Sequence, residues 1–405
     1  MRTMLEVEEA LRLITDRVQP LAAESIPATE AHGWVLAEDV YAPISQPPWP
    51  RSPLDGYALH AADTKGAGWD MPVTLTVVDK IYAGGVPTVP VRQGEAARIM
   101  TGAPIPDGCD CVLRQEDTDL GTERVTIFSE VKPYQNYCPA GEDFREGDVL
   151  LCKGTRLTGR ACGVLASAGL LRREVLLPVV RQVRCALFCT GDELVTNDTS
   201  ALPPGKIYSS NAAMLAARLA ELGVLVVRLA EAFPDDAHAL AEAIRQAEEE
   251  ADLILTVGGV SVGEKDILHE TLPLLGADRV LWKARVKPGS PLMFSIHEKP
   301  ILSLSGNPFA AGATFELFGR AVLAGLAGCG DLLPVRTKGI LDTPFEKGGG
   351  MRRIVRGYFA DGRVTLPEGH ASGQLASSAG MNCLVDIAAE KGPLAAGSRV
   401  DVWLL

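Results

Sequence analysis

The chain has 405 residues, 47% of them hydrophobic and 22% charged, with a net charge of −12. That length exceeds one typical core and sets an expectation of two to four folding units. The acidic balance argues against non-specific nucleic-acid binding, which needs clustered basic surface, and nine cysteines without a CxxC pair argue against a disulfide framework or structural zinc.

The opening segment, MRTMLEVEEALRLITDRV, reads as an amphipathic helix with Leu5, Leu11, Ile14 and Val18 near one face. Acids scattered through its apolar positions do not suit a secretory h-region. No apolar run reaches the length of a membrane span, the best being AVLAGLAG at 321–328. No membrane contact and a cytoplasmic location are therefore expected. PISQPPWPRSP at 43–53 is too rich in Pro for a helix or central strand and reads as a linker. Short β-type runs then dominate 73–131, and an Ala-rich helix is predicted around 159–170. Residues 1–45 and 145–178 are expected to form a discontinuous linker domain of helical and extended segments, with 46–144 a β-rich second domain.

From 179 to 329 the pattern alternates. Strands 183–188, 224–230 and 252–257 are separated by helices 211–222 and 235–250. A helix at 265–275, the strands RVLWKARV, PLMFSI and PILSLS, and a helix at 308–327 follow. This alternation specifies a mostly parallel α/β sheet covered on both faces. Cys185 and Cys189 on the first strand read as buried free thiols. Residues 330–405 return to β patterns with Gly-rich turns and predict a small β-barrel or sandwich domain, the barrel being the reading taken. The fold class is thus multidomain α/β.

Ligands of such sheets bind beyond the carboxyl ends of the strands, where TGDEL (190–194), GGVSVGEKD (258–266) and LSGNP (304–308) fall. Asp192, Glu193 and Asp266 offer hard oxygen ligands for a divalent cation. Lys283, Arg285 and Lys287 alternate along KARVKPGSP, so one extended strand would project all three from the same face. SGNP opens a helix whose N–H groups favour an oxyanion. Together these features describe a site for phosphates and Mg2+. Each also has a structural reading: Asp192 as an Asx turn, Asp235 or Asp236 as a helix cap, the cations as a solvated edge strand, Thr101 as a turn hydroxyl.

With the motifs placed, the chain resembles the molybdopterin molybdenumtransferase family, MoeA and the equivalent gephyrin E domain. The resemblance spans nearly the whole length: PLDGYAL (53–59), RIMTGAPIPDGCD (98–110), AGEDF (140–144), TGDEL, IYSSN (207–211), GGVSVGEKD, KPG (287–289), SGNP and SGQLASSAGMN (372–382). It implies a four-domain homodimer that takes adenylylated molybdopterin and molybdate, inserts the metal and releases AMP, with Mg2+ as cofactor. Molybdopterin adenylyltransferase and molybdoenzymes are the implied further partner classes. Glu193, Asp235 or Asp236, and Asp266 would hold Mg2+. Lys283 and Lys287 would counter the oxyanion, and Gly258, Gly259, Ser261 and Gly263 would line the phosphates. Asp55, Thr101, Glu142 and Asp143 would come from the partner subunit. Ser305, Asn307, Arg356 and Ser372 would complete the molybdate or pterin side.

Departures from the family pattern are specific. Ser209, Ser210 and Asn211 stand where an acid is usual, Ser290 replaces a second lysine, and LPGNPVS becomes LSGNPFA, placing Ser305 and Ala310. MRRIVR keeps Arg356 but has Met351 and Ile354 where Arg and Phe are usual. These changes leave tungstate as an alternative oxyanion, and a divergent paralogue as an alternative role. Molybdopterin adenylylation is a second enzyme reading, disfavoured by Val260 and Ser261 where that family has a GGTG loop. A non-catalytic scaffold is a third, disfavoured by the intact Asp55, Glu193, Asp266 and Lys287.

Overall fold

The computed structural model describes residues 1–261, 266–347 and 349–405. Its largest layer is a seven-stranded sheet. The strand order is Arg2–Leu5, Asp278–Ala284, Met293–Ile296, Pro300–Leu304, Leu253–Val257, Arg184–Thr190, Leu225–Phe233. The last four run parallel, and Met293–Ile296 is antiparallel to both neighbours. Leu253–Val257 is buried along its whole length, which is why it reads as an unbroken apolar run rather than an alternating one. The helices Ser210–Glu221, Ala237–Glu248 and Leu268–Leu275 connect these strands.

Two local departures from the sequence expectation matter later. The opening segment is not helical throughout: Arg2–Leu5 is an edge strand parallel to Asp278–Ala284, and the helix is Val7–Arg17. The strand Asp278–Ala284 has an open edge there, and pairing satisfies its backbone groups. RVLWKARV is not one strand either. It breaks at Arg285, after which Val286–Lys287 leaves the large sheet and pairs in parallel with Arg352–Ala360.

The helix predicted at 308–327 forms as Pro308–Thr314, a π-helical turn Phe315–Gly319, and Arg320–Ala327. Buried Glu316 in the π turn is held by Arg218 at 2.7 Å and Arg320 at 3.2 Å, the pairing a buried carboxylate requires. By length and composition this 20-residue helix could cross a bilayer, yet 83% of its apolar window is buried within the fold. It is the core helix of the α/β layer.

The β-rich segment is a five-stranded sheet ordered Cys111–Arg114, Gly56–Leu59, Glu95–Ile99, Val73–Ile81, Arg124–Ile127. Between it and the α/β layer, Leu176–Val180 pairs with both Ala23–Pro27 and Val35–Leu36, alongside the helix Gly159–Ser167. At the C-terminus, Val335–Leu341, Arg352–Ala360, Arg363–Thr365, Cys383–Ile387 and Arg399–Leu404 close on themselves through the Arg352–Ala360 and Cys383–Ile387 pairing. The multidomain α/β architecture with a C-terminal barrel is what forms.

Candidate functional site

A cavity of about 1230 Å³ opens where the carboxyl ends of the parallel strands meet the barrel. Its floor follows from chain direction. Thr190 ends one strand, Gly258 and Gly259 follow Val257, and Ser305 follows Leu304. Parallel strands deliver all three turns to one edge.

The turns are built for close approach. Gly258 has φ +104°, and a Cβ there would lie 2.5 Å from the carbonyl oxygen of Thr190. Only glycine fits. Asp192 and Asp235 fasten two neighbouring turns reciprocally. The Asp192 N–H donates to Asp235 Oδ2 at 3.3 Å, and the Asp235 N–H donates to Asp192 Oδ1 at 3.2 Å. Asp235 lines the cavity. Asp236 instead caps the helix Ala237–Glu248, accepting from the Ala239 N–H at 2.9 Å. Both adjacent carboxylates thus hold backbone, and of the two Asp235 lines the cavity.

Glu193, Asp266, Gly258, Gly259, Ser261 and Lys287 all line the cavity. So do Ser305, Asn307 and Ser372. Gly263 lies outside the described residues. Asn211, in the segment 209–211 where the family pattern carries an acid, donates from Nδ2 to the Gly306 carbonyl at 2.8 Å and steadies the turn before the helix Pro308–Thr314. Ser209 is almost fully buried beside it.

Three expectations are corrected. Lys283 does not share a face with Lys287: its φ of +65° breaks the alternation, and its ammonium lies 4.1 Å from the Trp282 ring centroid. It is not among the cavity's lining residues. Arg285 turns away to Glu6 at 3.1 Å. Arg356 is buried behind the wall, donating to Ser377 Oγ at 2.6 Å and to the Ala371 carbonyl at 2.9 Å, with its guanidinium 3.7 Å from the Phe309 ring centroid. It fixes the loop bearing Ser372 rather than facing the cavity, and burial lowers its affinity for a proton.

Asp55, Thr101 and Asp143 belong to the segment that carries the five-stranded sheet and do not line the cavity. Thr101 donates to Asp55 Oδ1 from its N–H at 2.8 Å and its hydroxyl at 2.7 Å. These bonds, the backbone one first, hold the Asp55 carboxyl below its usual range.

Three lining residues from the barrel side escaped sequence reading: Lys347, Arg353 and His370. Lys287 and Arg353 are register partners. Burial first, then Lys347 and Arg356, pushes the His370 pKa down, and its ring meets Phe345 edge-on at 5.7 Å. The alternation in MRRIVR was a usable signal for Arg353; nothing local marked Lys347 or His370.

One wall therefore carries Glu193, Asp235 and Asp266, and the barrel side adds cations. Among the described residues no three His, Cys, Asp or Glu side chains gather closely enough to cage a metal unaided. That donor set still fits Mg2+, which binds through one or two carboxylates, waters and substrate phosphates rather than an all-protein cage.

Family models cover most of the chain. Residues 5–169 match one described as MoeA N-terminal region (domain I and II), 186–325 one described as probable molybdopterin binding domain, and 338–405 one described as MoeA C-terminal region (domain IV). A relative named molybdopterin molybdenumtransferase 2, from Mycobacterium tuberculosis, is 34% identical over 99% of both chains. A molybdopterin molybdenumtransferase from Staphylococcus aureus is 32% identical over 100% of this chain and 96% of its own. The crystal structure of a molybdopterin biosynthesis moeA protein from Pyrococcus horikoshii OT3 superposes with a TM-score of 0.86 at 28% identity, covering 99% of this chain and 100% of that one.

Proposed function

We propose a mechanism for a chain that belongs to the molybdopterin molybdenumtransferase family and is, like its named relatives, a transferase of molybdenum cofactor biosynthesis. It inserts molybdate into adenylylated molybdopterin and releases AMP. The observation that carries this reading is a single cavity with three carboxylates, a glycine turn and cations from a second folding unit.

The phosphoanhydride between AMP and the pterin phosphate lies along the Gly258–Gly259 turn. A water oxygen adds in line to the pterin-side phosphorus, the bond to the bridging oxygen breaks, AMP leaves with that oxygen and its electron pair, and the water's proton passes to solvent. Glu193, Asp235 and Asp266 would hold Mg2+, which when bound neutralises charge on the non-bridging oxygens. Lys287, Arg353 and Lys347 face the doubly charged molybdate, and Ser305 and Ser372 offer hydroxyls to it. Ser290 does not substitute for the family's second lysine, because its hydroxyl donates to the Ala284 carbonyl at 2.7 Å. That rearrangement of cations is the feature that bears on molybdate against tungstate.

The working unit is a homodimer, with Asp55, Thr101 and Asp143 of one subunit completing the other's cavity. The reading is supported by their place outside their own chain's cavity lining. Free thiols at all nine cysteines suit the reducing cytoplasm. Purified protein given adenylylated molybdopterin and Mg2+ should release AMP when molybdate is added. No AMP with either molybdate or tungstate would defeat the reading.

A further inference from the structure

The turn at 259–261 is pinned from behind by three donors, two on the helix Leu268–Leu275 and one on the strand Asp278–Ala284. The Gly259 carbonyl accepts from the Leu268 N–H at 3.2 Å. The Val260 carbonyl accepts from the Trp282 indole N–H at 3.4 Å. The Ser261 carbonyl meets His269 Nε2 at 3.1 Å, and a carbonyl can only accept, so Nε2 carries the proton. Trp282 and His269 are not independent supports. Their rings pack edge to face, with centroids 4.7 Å apart and planes at 84°, and Lys283 lies over the Trp282 ring.

We infer that Trp282 is a positioning residue that, together with the Leu268 N–H, aims the backbone N–H groups of Val260 and Ser261 into the cavity at an anionic phosphate, and that His269 braces the end of the turn and the Trp282 ring. The physical link is the trans peptide unit, in which the carbonyl of one residue and the N–H of the next point in opposite directions. Drawing the Gly259 and Val260 carbonyls back turns the following N–H groups forward, and Val260 and Ser261 both line the cavity. The pins are needed because Gly258 and Gly259 have φ of +104° and +62°. Glycines permit the close approach but also let peptide units reorient freely. A donor cradle stabilises developing charge only if it is fixed beforehand. Lys283 then acts through Trp282, holding the ring by a cation–π contact, and not by touching substrate.

The inference rests on the phosphate reading of the cavity, so its test has one readout that does not depend on it. Three variants separate the donors from bulk packing: Trp282→Phe keeps a ring and loses the N–H, His269→Leu loses the donor, and His269→Gln keeps a donor near Nε2. Backbone hydrogen exchange of the Gly258 and Leu268 N–H groups, bonded to the Leu304 and Gly259 carbonyls, should quicken in the ligand-free protein in Trp282→Phe and His269→Leu and stay near wild type in His269→Gln. AMP release should follow the same order, with kcat falling at least about tenfold in the first two and KM for molybdate little changed. Should Trp282→Phe fail to fold, the two His269 variants decide alone. Unaltered exchange in His269→Leu, equal losses in His269→Leu and His269→Gln, or quickened exchange with normal turnover would each overturn the positioning role. A wild-type protein that releases no AMP would instead defeat the functional reading, and the exchange data would still judge the brace.

Discussion

Lys287 and Arg353 stand opposite each other on adjacent parallel strands, one residue arriving from the α/β layer and the other from the closed barrel. Both line the same cavity. Neighbouring strands lie about 5 Å apart, so the pair sets two cations side by side. Like charges at that spacing are unfavourable, and a dianion between them reverses the sign.

Lys287→Ala and Arg353→Ala should each weaken molybdate binding by roughly tenfold, about 1.4 kcal/mol, while binding of the adenylylated pterin changes less. Ser290→Lys should tighten it, and so should Ala310→Ser if its hydroxyl reaches the oxyanion. Calorimetric titration with molybdate and tungstate measures both directions. Affinities indifferent to Lys287 and Arg353 would place the oxyanion elsewhere.

His370 gives a pH signature. Burial and the nearby Lys347 and Arg356 hold its folded pKa below the ordinary 6.5. The unfolded chain therefore binds more protons at this site in the window between the lowered value and 6.5. Stability falls as pH drops through that window, and the contribution vanishes above it. A dianion in the cavity should raise the His370 pKa. An NMR titration of the ring with and without molybdate reads this shift, and His370→Phe should flatten that part of the stability profile. An unmoved titration would separate His370 from the anion.

Cross-subunit assembly has its own test. Asp55→Ala and Asp266→Ala homodimers should each be inactive. Mixed dimers should recover part of the activity, because one composite site remains intact. Absence of recovery in dimers shown to be mixed would contradict shared sites.

What the sequence made legible was local. Strand and helix periodicity in 183–327 needed no long-range knowledge, and the turns at Glu193, Gly258 and Lys287 were visible as Gly or Pro bends after apolar runs. Long-range facts were hidden. Arg2–Leu5 becomes a strand because of an open edge supplied by residues nearly three hundred positions away. Lys283 adopts a left-handed backbone that a lysine does not announce. Asp235 and Asp236 are chemically identical, and only their folded surroundings sort them, Ala239 for Asp236 and Asp192 with the cavity for Asp235. Lys347 and His370 reach the site through barrel closure, which no short motif encodes.

The central claim is that Glu193 and Asp266 support metal-assisted release of AMP from a phosphate held in this cavity. Glu193→Gln and Asp266→Asn preserve side-chain volume and remove one negative charge each. Single-turnover AMP release, measured across a Mg2+ series with molybdate present, tests it most directly. The account predicts that the activation free energy of AMP release rises by several kcal/mol, slowing it roughly a thousandfold, with the fold intact and a raised Mg2+ requirement. Near-normal turnover with unchanged Mg2+ dependence in both variants would contradict it.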